Sequence, residues 1–355
     1  MSSLSILMEN MPRNMDGVII SEAVNRQYFT NFSSTAGVLI VTKAKAILLL
    51  DFRYFEMAKE NVKDVELRCF TDLNDAIKEV LKVENLKNVA LEACFVSVKQ
   101  FEEYKKNFEG VNFVTDGWLD EFILNLKSVK SSSEIGKIKA AQEVTDAAFS
   151  HILNFICVGK TEKEVAREIE NFILNNAQCV SFSTIVVSGK NSSLPHGKPS
   201  DKKLSKGDFV TMDFGAVVDG YCSDMTRTVC MSPISNFQKE LYSIVLKGQE
   251  LALQNIKQGA ICSDVDRLVR DYFKTFNYVE EFGHGLGHGV GLNIHEEPYL
   301  NRVCNTVLKE NMVVTVEPGL YINSKMGVRI EDLVVVQKEG IINLTNSSKE
   351  LICID

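Results

Sequence analysis

Residues Gly37 to Leu50 form two apolar, β-branched runs broken at Lys43–Lys45, which predicts a hairpin. Asp51 to Val62 follows with a helical pattern, Val89 to Leu91 as a short strand, and Val98 to Phe108 as a further helix. Strands and helices alternating over this length predict an α/β unit the size of one domain. The polar stretch Lys127 to Ser133 interrupts the pattern and places a domain boundary there, with residues 1–126 before it and 127–355 after it. Beyond it, Ile135, Ile138, Ala141, Val144, Ala148 and Ile152 recur at three and four residues, a helix with Ser133 as its cap. Thr161 and Glu164 form a capping box for a second helix, and Leu241–Ile256 and Cys262–Phe276 predict two more. Strand-like pairs lie between and after these helices, so the second domain reads as α+β, with helices covering antiparallel strands. No internal repeat is evident by eye.

Several of these strands carry acids in apolar company. Between Gly207 and Met231, two strand-like runs flank Asp219-Gly220, the dipeptide of a type I′ turn. A two-residue turn pairs Val218 with Tyr221, sets Asp213 opposite Thr226 and Asp224 opposite Gly215, and brings Asp213 and Asp224 to one face. Such diagonal neighbours lie roughly 7–8 Å apart at the backbone, close enough for both carboxylates to reach one ion. Like charges so placed need a cation or a shared proton, unless they sit solvated at a wet sheet edge. Met312–Glu317 and Gly327–Val336 are two further strands; Glu317 ends the first, and Arg329 and Glu331 share a face of the second. An exposed Arg–Glu pair there would contribute little.

The chain has only five histidines, and His284, His288 and His295 fall within Phe282–Tyr299, interleaved with glycine. Glycine at this density excludes a stable helix and lets backbone approach a site closely. Either this is a loop of exposed histidines or a supply of imidazole ligands. His196 follows Pro195 in a loop after the strand Phe182–Val187. Asp213, Asp224, His288, Glu317 and Glu331 together make an oxygen-rich set suited to manganese, cobalt or zinc in a paired site.

Composition narrows the partners. A net charge of -8 speaks against nucleic acid. Nine cysteines without a C-x-x-C pair read as reduced thiols in a cytoplasmic protein. No secretory signal or membrane-spanning run is seen.

The ordered segments MDFG, DGYCSDMTRT, HGLGHGVGLNIHE, TVEPGLY and GVRIEDL resemble the metallopeptidase family that contains methionine aminopeptidase, prolidase and Xaa-Pro aminopeptidase. AVNRQYFTNFSS, LLLDFRYFEMA, KSVKSSSEIGKIKAA and LPHG are similar to its proline-specific branch, with Asn31 where that branch usually has glycine. The resemblance implies a pita-bread fold behind a smaller creatinase-like α/β domain, and a homodimer. It implies two divalent ions on Asp213, Asp224, His288, Glu317 and Glu331, with Asp224 and Glu331 bridging. It further implies that His284 donates to the oxyanion, Glu317 shuttles the proton, His196 and His295 line the proline pocket, and Arg329 orders Glu331. The substrate implied is a peptide or dipeptide with proline in second place. Rival readings are a metal-free creatinase-like hydrolase, a non-enzymatic binding module, and an aminopeptidase without proline preference. An intact ligand set argues against the first two.

Overall fold

Gly17–Ile20, Val38–Thr42 and Ala46–Asp51 are apolar at nearly every position because both faces of their sheet are covered. Val18, Leu39, Val41, Leu48 and Leu50 pack into one core, while the alternate residues Ile19, Ile40, Ile47 and Leu49 pack into another. The computed structural model describes residues 2–355, so Met1 lies outside the described residues. It divides into two units, one ending at Lys127 and one beginning at Ser128. The first holds a six-stranded sheet in the order 66–70, 46–51, 38–42, 17–20, 88–91, 112–114. The central pairs are antiparallel and the outer ones parallel. Asn31 ends the helix Ala23–Thr30 at φ 53°, a left-handed cap that asparagine tolerates nearly as well as glycine.

The second unit is the pita-bread fold, with mixed helices and antiparallel sheet. Ser131, not Ser133, caps the helix Ser132–Ile152, because Glu134 lies three residues on and closes the reciprocal box. The helix expected from Leu241 spans Asn236–Asn255, its start set by the Ser235–Gln238 box rather than by apolar spacing. The strand read across Phe182–Val187 is Ile185–Ser188. The single strand read across Gly327–Val336 is two: Met326–Arg329 pairs with Gly319–Ile322, and Asp332–Gln337 pairs with Val313–Val316. The change of partner falls at Ile330–Glu331, within the charged stretch Arg329–Asp332 that interrupts the apolar run.

An internal repeat, not evident in the letters, emerges from burial and hydrogen bonding. Glu162, Val165, Ala166, Ile169 and Ile173 are the buried positions of one helix; Cys262, Val265, Asp266, Val269 and Phe273 are those of another. Before each helix stands a glycine of positive φ, Gly159 and Gly259. Gly159 donates to the Leu204 carbonyl and Gly259 to that of Leu308; Leu204 and Leu308 donate back to Lys160 and Ala260. Following Leu204 and Leu308 in register, the segments LSKGDFVTMDFG and LKENMVVTVEPG set Asp213 against Glu317 and Gly215 against Gly319.

Candidate metal centre

Each half of this repeat delivers acids to one cavity of about 280 Å³. In the first half, Asp219 and Gly220 adopt φ 49° and 80°, the two positive values of a type I′ turn. Val218 accordingly pairs with Tyr221 and Asp213 with Thr226. A Cβ on Gly215 would lie 1.9 Å from the Ser223 carbonyl oxygen, so only glycine allows the strands to close beside Asp224. In the second half, Gly287–Gly289 is an interior strand between Glu296–Leu300 and Val313–Val316. A Cβ on Gly287 would lie 2.0 Å from the Thr315 carbonyl oxygen. That close approach sets the Thr315 hydroxyl to accept from the His288 amide (3.0 Å) and donate to Glu317 (3.3 Å).

Asp213, Asp224, His284, His288, His295, Glu317, Arg329, Glu331 and His196 all line this cavity. Ligand atoms of Asp224, His288 and Glu331 lie within 4.8 Å of one another. His288 Nδ1 donates to the Gly289 carbonyl at 3.0 Å, which leaves a lone pair on Nε2. Burial pushes its imidazole down to about 4, so the ring is neutral. Nε2 nevertheless faces Asp224 Oδ2 at 3.6 Å and Glu317 Oε1 at 3.4 Å. Asp213 Oδ1 and Glu331 Oε1 are buried without a hydrogen-bond partner. Burial, then neighbouring carboxylates, pushes the carboxyls of Asp224 and Glu331 well above their usual range. Partnerless carboxylate oxygens and an imidazole lone pair converging in one buried cavity suit a cation, and oxygens with one imidazole suit a divalent ion. The residues present therefore fit the ions that the family implies.

Arg329 is 3% exposed, which removes the surface-pair alternative. It holds Asp213 rather than Glu331: its guanidinium donates to Asp213 Oδ2 (2.5 Å), Tyr321 Oη (2.8 Å), the Pro195 carbonyl (3.2 Å) and Thr226 Oγ1 (2.9 Å). Its link to Glu331 runs through Thr226, whose hydroxyl donates to Glu331 Oε2 at 2.7 Å. His284 also differs from expectation. Its Nδ1 donates to the Gly285 carbonyl (2.7 Å), so the neutral ring accepts at Nε2 from Tyr321 (3.0 Å). Burial, reinforced by Arg329, pushes this imidazole down to about 3. In that state it offers no N–H to a substrate, because a neighbouring carbonyl has fixed the tautomer. His295 stacks its ring 4.4 Å from His288, edge to face, and His196 is exposed at the mouth. Thr226 and Thr315 escaped the sequence reading although each sits two residues from an acid on the same strand face; nothing in the sequence points to Tyr321.

Buried acids converging with a neutral imidazole make the donor set of a divalent-metal site. Residues 136–338 match the model of metallopeptidase family M24 and residues 8–119 that of the creatinase/prolidase N-terminal domain, and the chain belongs to metallopeptidase family M24. It is 37% identical over 356 residues to the Xaa-Pro dipeptidase of Pyrococcus furiosus, covering 98% of this chain and 99% of that one. The solved Xaa-Pro dipeptidase from Bacillus anthracis matches with a TM-score of 0.93 at 39% identity, over 99% of this chain and 98% of that one. The X-Pro aminopeptidase from Thermotoga maritima matches with 0.92 at 35% identity, over 98% and 99%.

Proposed function

We propose that this metallopeptidase hydrolyses the bond between an N-terminal residue and a following proline, using two divalent ions, with manganese the leading choice. The observation that carries the metal reading is the convergence of the His288 lone pair and the partnerless oxygens of Asp213 and Glu331 on one cavity. Preference for proline rests on relatives that carry it in their names.

Asp213, Asp224, His288, Glu317 and Glu331 would hold the ions. Bound there, such ions would supply a nucleophilic hydroxide near neutral pH and Lewis-acid polarisation of the scissile carbonyl. Glu317, one oxygen held by Thr315, takes a proton and returns it to the departing proline nitrogen. Arg329 keeps Asp213 oriented, and through Tyr321 it also fixes His284. His196 and His295 line the space for proline. A cytoplasmic location is part of this reading, since nine free cysteines suit a reducing compartment. Among the described residues no helix is long and apolar enough to cross a membrane. A homodimer is carried over from the family resemblance.

The test is hydrolysis of Ala-Pro and Ala-Pro-Ala by metal-stripped protein, before and after addition of manganese. Release of alanine from either substrate only with metal is the expected result; silence on both in every condition sinks the proposal.

A further inference from the structure

The cavity holding the site adjoins a second one, of about 520 Å³, and the two share Phe182, Ile185 and His196 as a common wall. Their charges differ. The first cavity has Arg329 as its one lining guanidinium or ammonium, and that group already donates to four acceptors. A substrate ending at proline would bring a free carboxylate there with no unengaged guanidinium or ammonium to meet it. The second cavity is lined by Lys163, Arg167 and Lys198 against one acid, Glu170. Lys163 is paired with Asp201 at 2.8 Å. Arg167 and Lys198 are exposed and enter no ion pair among the described residues. Lys163, Arg167 and Glu170 follow one another along a single face of the helix Glu162–Asn176.

The shared wall is held firmly. Arg329 fixes the Pro195 carbonyl on one side, and on the other the buried Glu162 accepts from the Ser200 amide (3.0 Å) and hydroxyl (2.6 Å). The loop carrying His196 therefore forms a fixed threshold between the two spaces.

We infer that the substrate continues past proline over His196 into this basic cavity, making the preferred substrates peptides of three or more residues with negative charge at or after the third. The inference rests on the Xaa-Pro reading and adds to it the class of peptide. An exposed cation adds modest binding, so the effect sought is a preference, not an absolute requirement.

The experiment compares kcat/KM of the manganese-loaded enzyme on Ala-Pro, Ala-Pro-Asp and Ala-Pro-Lys, for wild type and for the Arg167→Glu/Lys198→Glu double variant. Wild type is expected to favour both tripeptides over Ala-Pro, and Ala-Pro-Asp over Ala-Pro-Lys by about fivefold. The double variant is expected to reverse that last preference, and the wild-type preference should shrink at high salt. Cleavage of Ala-Pro with neither tripeptide accepted overturns the inference and leaves the Xaa-Pro reading standing. So does an Asp-to-Lys ratio that charge reversal does not move. No cleavage of any of the three overturns the Xaa-Pro reading itself, and this inference with it.

Discussion

Each half of the catalytic unit buries one carboxylate on its second helix and uses it to hold a histidine-bearing segment, but the two are neutralised differently. Glu162 opens its helix and accepts from Ser188 N and Oγ, Asn191 Nδ2, and Ser200 N and Oγ, with no cation among them. Asp266 lies one turn inside the corresponding helix. It accepts from Arg270 Nε (2.6 Å) and Nη2 (3.0 Å), and from the Leu286 amide (3.1 Å). Arg270 in turn donates to the carbonyls of Phe282 and His284. Both carboxylates are fully buried. At a helix start, free amides and the positive end of the dipole favour an anion. One turn inward that help is gone, and a guanidinium has to replace it. The positional counterparts, Cys262 and Ala166, carry no charge at all, so each half has solved the same problem at a different place.

The contrast can be broken at several points. The largest effect is expected at the centre that both halves share: Asp224→Asn should reduce manganese-dependent turnover to that of metal-stripped protein, and wild-type turnover would rule out a two-ion site. Next, Asp266→Ala leaves Arg270 without its counter-charge and should cost about 3–5 kcal/mol in urea unfolding. A loss below about 1 kcal/mol would mean that the carbonyls alone satisfy the guanidinium. Glu162→Gln keeps the volume but turns one acceptor into a donor facing donors. It should cost about 1–3 kcal/mol, and raise KM more than it lowers kcat, with metal content measured as unchanged. A cost equal to that of Asp266→Ala would erase the distinction between the two anchors. The smallest effect belongs to the exposed Lys163–Asp201 pair, where Lys163→Met should change stability by under about 1 kcal/mol.

Much of this was legible in the letters, for reasons that can be named. The Asp219–Gly220 dipeptide fixes a turn and a turn fixes register, so the pairing of Asp213 with Thr226 could be read by counting. The histidine segment was legible as chemistry but not as a strand, because its role depends on the backbone of Thr315 pressing against Gly287. The attachment of Arg329 to Asp213 was hidden, since it depends on a partner from a different strand, and the tautomer of His284 was hidden, since it depends on the ring turning back onto the carbonyl of the next residue. The repeat was hidden because its two copies keep burial and backbone bonds while exchanging most side chains, Glu162 for Cys262 and Ala166 for Asp266 among them.

The hairpin that joins Asp213 and Asp224 also bears on the order of events in time. Hairpins close in roughly 1–10 μs, whereas the Thr226–Glu331 contact joins residues 105 positions apart, and contacts of such separation form late. During refolding an ion would first meet two carboxylates and only afterwards the remaining ligands. Manganese should then slow unfolding while leaving the refolding rate unchanged; faster refolding with metal would instead place ligand assembly before the barrier. On this view the ions act chiefly as a clasp fastened last, governing how long the native enzyme survives more than how quickly it is made.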